Sequence, residues 1–67
     1  MSSLGEEFSK ELARVRRVLG YYKEIGPAGI FGATMIEQAL QRADKASVSG
    51  DVVAIIQCYE ELKGISE

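Results

Sequence analysis

The sequence predicts an all-α fold: three helices in an up-down-up antiparallel bundle, assembled into an oligomer. Three observations carry that expectation. Apolar residues recur at helical spacing along most of the 67 residues, and no stretch alternates as a strand would. Two short breaks, at Gly26-Pro27 and at Ser47–Asp51, divide the chain in three, and connections that short set successive helices side by side in opposite directions. One cysteine and no histidine leave no intrachain disulfide and no common zinc ligand set to support a thin core. Close packing or a second subunit must then stabilise the single domain spanning 1–67, and assembly is the preferred expectation.

The first helix is expected over about 4–25. Ser3 can cap its start, and Glu6 stands where a capping box places its acidic residue. Leu4, Phe8, Leu12, Val15, Leu19 and Tyr22 follow at spacings of four, four, three, four and three, with Val18 and Ile25 widening the stripe. Within it Phe8, Leu12, Val15, Leu19 and Tyr22 form a short heptad-like seam, which is the expected oligomer interface. Gly26 suits the residue that ends this helix, and Pro27 suits the first turn of the next.

The second helix is expected over about 27–46. Ile36, Leu40 and Ala43 make its apolar face, with Ile30, Phe31, Ala33, Met35 and Ala39 around it. Its many small residues allow a neighbouring helix to come close. Ser47-Val48-Ser49-Gly50-Asp51 reads as a turn ending in a cap. The third helix is expected over about 51–63, with Val52, Ile55, Ile56, Tyr59 and Leu62 as its stripe. Gly64 is placed to stop it in a left-handed turn, with Ile65 making the accompanying apolar contact.

Composition excludes several classes of function. With 8 basic and 10 acidic residues the net charge is −2, against a general nucleic-acid binder. No apolar run approaches the ~20 residues of a membrane span, and residues 1–20 carry charges throughout, unlike a signal peptide. A cytoplasmic protein is expected. Without histidine there is no ready general base at neutral pH. Cys58 has no local histidine or cluster of basic residues to lower its pKa and sits among Ile55, Ile56, Tyr59 and Leu62, so it reads as packed core. No enzyme, no cofactor, no catalytic residue and no metal site are expected.

Two polar features invite a ligand. Lys10, Arg14, Arg17 and Tyr21 recur along one face of the first helix, while Arg16 points elsewhere, towards Gly20 and Lys23, and guanidinium groups next to a tyrosine can hold phosphate and stack on a base. Gly26, Gly29 and Gly32 open the second helix, where free N–H groups attract anions and glycine lets a ligand approach. Their spacing matches neither a phosphate-binding P-loop nor a dinucleotide fingerprint. The candidate binding set is therefore Arg14, Arg16, Arg17, Tyr21, Gly29, Phe31 and Gly32. The plainer alternative is a solvated face and a tightly packed corner.

Residues 43–62, through Gly50, Asp51, Ile56 and Tyr59, resemble the second half of a tetratricopeptide hairpin, although Val52 replaces the usual aromatic and Ile55 a small residue. One unit implies an antiparallel helical hairpin rather than a repeat array. Ile25-Gly26-Pro27-Ala28-Gly29, Met35-Ile36-Glu37-Gln38-Ala39-Leu40 and Ser49-Gly50-Asp51-Val52-Val53 also look like segments of small proteins encoded by bacteriophages and prophages. That resemblance implies an inhibitor that occupies a host or defence protein in the host cytoplasm. The alternative is an oligomeric sponge for a phosphate-bearing nucleotide signal.

Overall fold

A computed structural model describes residues 3–66. Three helices pack against one another in chain order: α1 (Leu4–Glu24), α2 (Ile30–Ser49) and α3 (Val52–Lys63), with a single 3-10 turn over Gly26–Gly29 between the first two. No strand occurs among the described residues.

The start of α1 lies where expected, with Ser3 as its cap. The Ser3 hydroxyl accepts from the Glu6 N–H at 3.1 Å, which satisfies one of the orphan donors of the first turn. The helix ends where Gly26 takes φ +85°, a conformation that costs glycine nothing. Pro27 then begins a 3-10 turn rather than α2 itself, so α2 starts at Ile30, three residues later than the spacing suggests.

The far end of α2 also differs. Ser47, Val48 and Ser49 continue the helix, and the stop comes only at Gly50, with φ +70°. Ser49 stays in the helix by donating from its hydroxyl to the Ala46 carbonyl at 2.9 Å, and Gly50 N–H reaches the same carbonyl at 3.2 Å. Asp51 caps α3, its carboxylate accepting from the Val53 and Ala54 N–H groups. The helical hairpin implied at residues 43–62 is therefore present.

Ion pairs report the directions of the helices. Lys23 meets Glu37 at 3.2 Å and Arg16 meets Asp44 at 3.6 Å. The partner's number on α2 rises as that on α1 falls, the ordering of antiparallel neighbours. Arg42 holds Glu61 through two hydrogen bonds of 3.1 and 2.8 Å, tying the middle of α2 to the end of α3.

The core is thin. Its large side chains are Phe8, Val15, Val18, Ile36, Leu40 and Leu62, completed by Ala33, Ala39, Ala43 and Ala46. Leu12, Leu19, Tyr22, Ile55, Cys58, Tyr59 and Ile65 pack against it partly buried. Total accessible surface is 4545 Å², against about 4,200 Å² for a compact chain of this mass. The helices also differ in length. α3 has 12 residues, about 18 Å of helix, whereas α2 has 20, about 30 Å. The third helix covers only part of the α1–α2 hairpin, and the end nearest Gly26 lies beyond it.

Two expectations about packing change here. Phe8 and Val15, central to the expected oligomer seam, are covered within the chain itself, and Leu12, Leu19 and Tyr22 are half-covered against the same core. The seam is the internal core face of α1. In α3 the core side consists of Ile55, Cys58, Tyr59 and Leu62, while Val52 and Ile56 point outward.

Candidate functional site

The arginine cluster does not form a ligand cradle. Arg14 reaches across to the end of α3, donating from Nη1 to the Ile65 carbonyl and from Nη2 to the Leu62 carbonyl, both at 2.8 Å. Its Nε is held by Glu11 at 2.7 Å. A planar fork suits this double contact, and a cation at a helix C-terminus is favoured by the aligned peptide dipoles. Gly64 is right-handed, with φ −73°, so the end of α3 is not the glycine stop that the sequence suggests. Arg14, from another helix, supplies part of the missing cap. Arg16 points towards α2 and pairs with Asp44. Arg17 is exposed, with no ion pair among the described residues. Three arginines adjacent in sequence thus diverge to three surroundings.

The glycine-rich segment is closed from within. A Cβ at Gly29 would strike the backbone carbonyl of Tyr22, and one at Gly32 would strike the Tyr22 ring. The space that glycine leaves is filled by α1, not held open for an anion. Gly29 is itself buried, and the Ile30 N–H donates back to the Pro27 carbonyl. Of the candidate binding set, Tyr21 and Phe31 alone stand exposed near this corner besides Arg16 and Arg17; Phe31 is 79% exposed. Within one chain the arginines and the glycine-rich start therefore share no common site.

Apolar surface is what the molecule displays instead, and it gathers at two ends. Tyr21 on α1 and Ile25 just after its end, with Ile30, Phe31 and Met35 on α2, surround the corner beyond the reach of α3. On the outer side of that corner an open cleft of about 320 Å³ is lined by Tyr22, Lys23, Gly26, Pro27, Ile30 and Ala33. At the other end Val48, 89% exposed, adjoins the turn that leads into Val52, Val53 and Ile56. The two groups lie about 25 Å apart, from the 1.5 Å rise of α2 between Phe31 and Val48.

Val52 and Ile56 belong to the stripe expected for the third helix, but the structure turns them outward together with Val53, which that stripe does not include. Val52, Val53 and Ile56 share one side, while Ile55, Cys58, Tyr59 and Leu62 share another. A helix apolar on both sides has more apolar surface than one neighbour can cover.

Cys58 lies half-buried between α2 and α3, in a groove it shares with Arg42, Gln57 and Glu61. Burial pushes its thiol above the ordinary 9.0, the Glu61 carboxylate pushes it further, and Arg42 opposes them. The thiol is therefore protonated at neutral pH and a poor nucleophile. Alkylation by iodoacetamide is expected to rise with pH only above the range of a free cysteine, and to return to that range in urea. Glu61→Gln should shift the profile down, since it removes a raising charge and leaves Arg42. A native profile matching that of free cysteine would contradict this placement. The linkage has a definite sign. A thiol raised on folding favours the folded state below the unfolded pKa, and that contribution fades as pH rises through the folded one.

No group of three or more potential metal ligands forms among the described residues, and no helix of theirs is long and apolar enough to cross a membrane. No family model, curated protein or solved structure matches this chain.

Proposed function

We propose that this chain is a non-catalytic binding protein that assembles with itself and acts by occupying a partner protein. One observation carries the reading: ten large apolar side chains are exposed, more than the six large ones in the core. Isolated apolar residues on a surface mean little, but clustered ones mark interaction sites. The likeness to small phage-encoded proteins makes a host or defence protein the proposed partner, and inhibition by occupancy the proposed effect. The absence of histidine and the raised pKa of the one thiol are in keeping with the non-catalytic part.

The outward face of α3 is the surface we assign to the partner. Val52, Val53 and Ile56 present an aliphatic stripe at the spacing by which one helix face meets another. They contribute little to the protein's own core, so they can be changed without unfolding it. The test is capture from a bacterial lysate followed by reconstitution with the identified, purified partner. Val53→Asp and Ile56→Asp should each keep the helical circular dichroism and lose binding at least tenfold, the effect of a charge set into an apolar contact. A reconstituted complex indifferent to both changes would overturn the assignment to α3. Heat-released material absorbing near 260 nm would instead restore the nucleotide reading.

A further inference from the structure

We infer that the corner end of the α1–α2 hairpin is a self-complementary dimer interface, in which a second copy, related by a two-fold axis, occupies the space that α3 is too short to fill. This rests on the reading of clustered apolar surface as interaction surface, and it gives the self-assembly an address different from the heptad-like seam.

Area favours a second copy. Tyr21, Ile25, Ile30, Phe31 and Met35 are between 50% and 79% exposed. An aromatic side chain buries about 150–250 Å² when fully covered, and with the three aliphatic ones, each only partly exposed, the patch offers roughly 500–600 Å² per protomer. With a polar rim this approaches the ~800 Å² per partner of a stable interface. The aromatic members, Tyr21 and Phe31, are the kind of side chain that anchors such contacts.

Charge makes the same surface complementary to itself. Arg17 lies four residues before Tyr21 and Glu24 three residues after it on α1, and all three are exposed. Neither charge has an ion pair among the described residues, as is also true of Lys45 and Lys63, whereas Lys10, Arg14, Arg16, Lys23 and Arg42 are paired. Of the unpaired cations Arg17 is the one beside Tyr21. A two-fold interface brings each residue of a patch opposite its counterpart's partner. If the α1 helices of two copies run antiparallel about a point between Gly20 and Tyr21, Arg17 of each faces Glu24 of the other. Gly20, midway along that line, has open space where a side chain would stand, so the Tyr21 ring of the other copy has room to lie against it. Opposite charges at equal offsets about a point between Gly20 and Tyr21 suit an isologous contact.

The experiment is sedimentation equilibrium of the full chain at tens of micromolar, and it needs no partner protein. Wild type should be a dimer. Phe31→Asp should be monomeric with unchanged helicity, since Phe31 contributes little to the core. Arg17→Glu and Glu24→Arg should each weaken self-association about tenfold, from two like-charge contacts per dimer. Mixing the two single variants should restore a dimer, because each then supplies the charge that the other lacks, and the double variant should pair with itself. A wild-type monomer would overturn the inference while leaving the partner-binding face of α3 to its own test. A dimer unaffected by Phe31→Asp would place self-association elsewhere and overturn it too. Single charge variants that stay dimeric, or a mixture that stays monomeric, would refute the antiparallel pairing.

Discussion

Arg14→Ala is expected to lower the melting temperature by about 12–24 °C. The substitution removes two charge-assisted hydrogen bonds to the Leu62 and Ile65 carbonyls and the Glu11 pair beside them. Bonds to a charged donor contribute about 1.5–3 kcal/mol each, and two that share one side chain do not add fully. A combined loss of about 3 kcal/mol is a large part of what a domain of this size has, and each kcal/mol moves its midpoint by about 4–8 °C. The position is shielded enough for this to hold, with the Arg14 side chain 23% exposed. Lysine should restore part of the loss, because it keeps the charge at the end of α3 but cannot fork to two carbonyls. Thermal circular dichroism checks the point, with Arg17→Ala as the control expected to stay within about 0.5 kcal/mol. If Arg14→Ala melted like that control, water would be capping α3 and the assigned role would fail.

Gly29→Ala is expected to destabilise by about 3 kcal/mol, against a gain of about 1 kcal/mol that alanine brings to an unconstrained helical position. The added methyl meets the Tyr22 backbone carbonyl, and backbone cannot rotate away, so the α1–α2 corner must open. Gly32→Ala meets the Tyr22 ring instead. Its smaller loss should be relieved when Tyr22 is shortened to valine, whereas Gly29→Ala should gain nothing from that change. Urea unfolding of the two single variants, each with and without Tyr22→Val, separates the cases. Stabilisation by both alanines would mean that α1 and α2 do not approach as closely as Tyr22 indicates.

Much of the architecture was legible in the residues because its causes are local. Period-3.6 stripes, Ser3 and Asp51 as caps, and Gly26 and Gly50 at the breaks all act within a turn or two of where they stand. Each element was therefore placed to within a few residues. The errors at α2 are of the same local kind. Pro27 is compatible with a 3-10 turn as well as an α-helical one. Ser47-Val48-Ser49 resembles a turn until Gly50 supplies the stronger stop.

The destination of side chains was settled only by tertiary packing. Arg14, Arg16 and Arg17 are neighbours in sequence, yet successive helical positions point about 100° apart, and the place of α2 and α3 around α1 determines what each one meets. Arg14 became a cap for a helix some fifty residues away, which no local pattern encodes. The glycines announced a close approach, but whether the visitor was a ligand or Tyr22 depended on how α1 crosses the corner. Periodicity likewise showed that α1 and α3 carry wide apolar faces. Which side turned inward, and which end of the hairpin the short α3 left uncovered, followed from helix lengths and contacts in three dimensions.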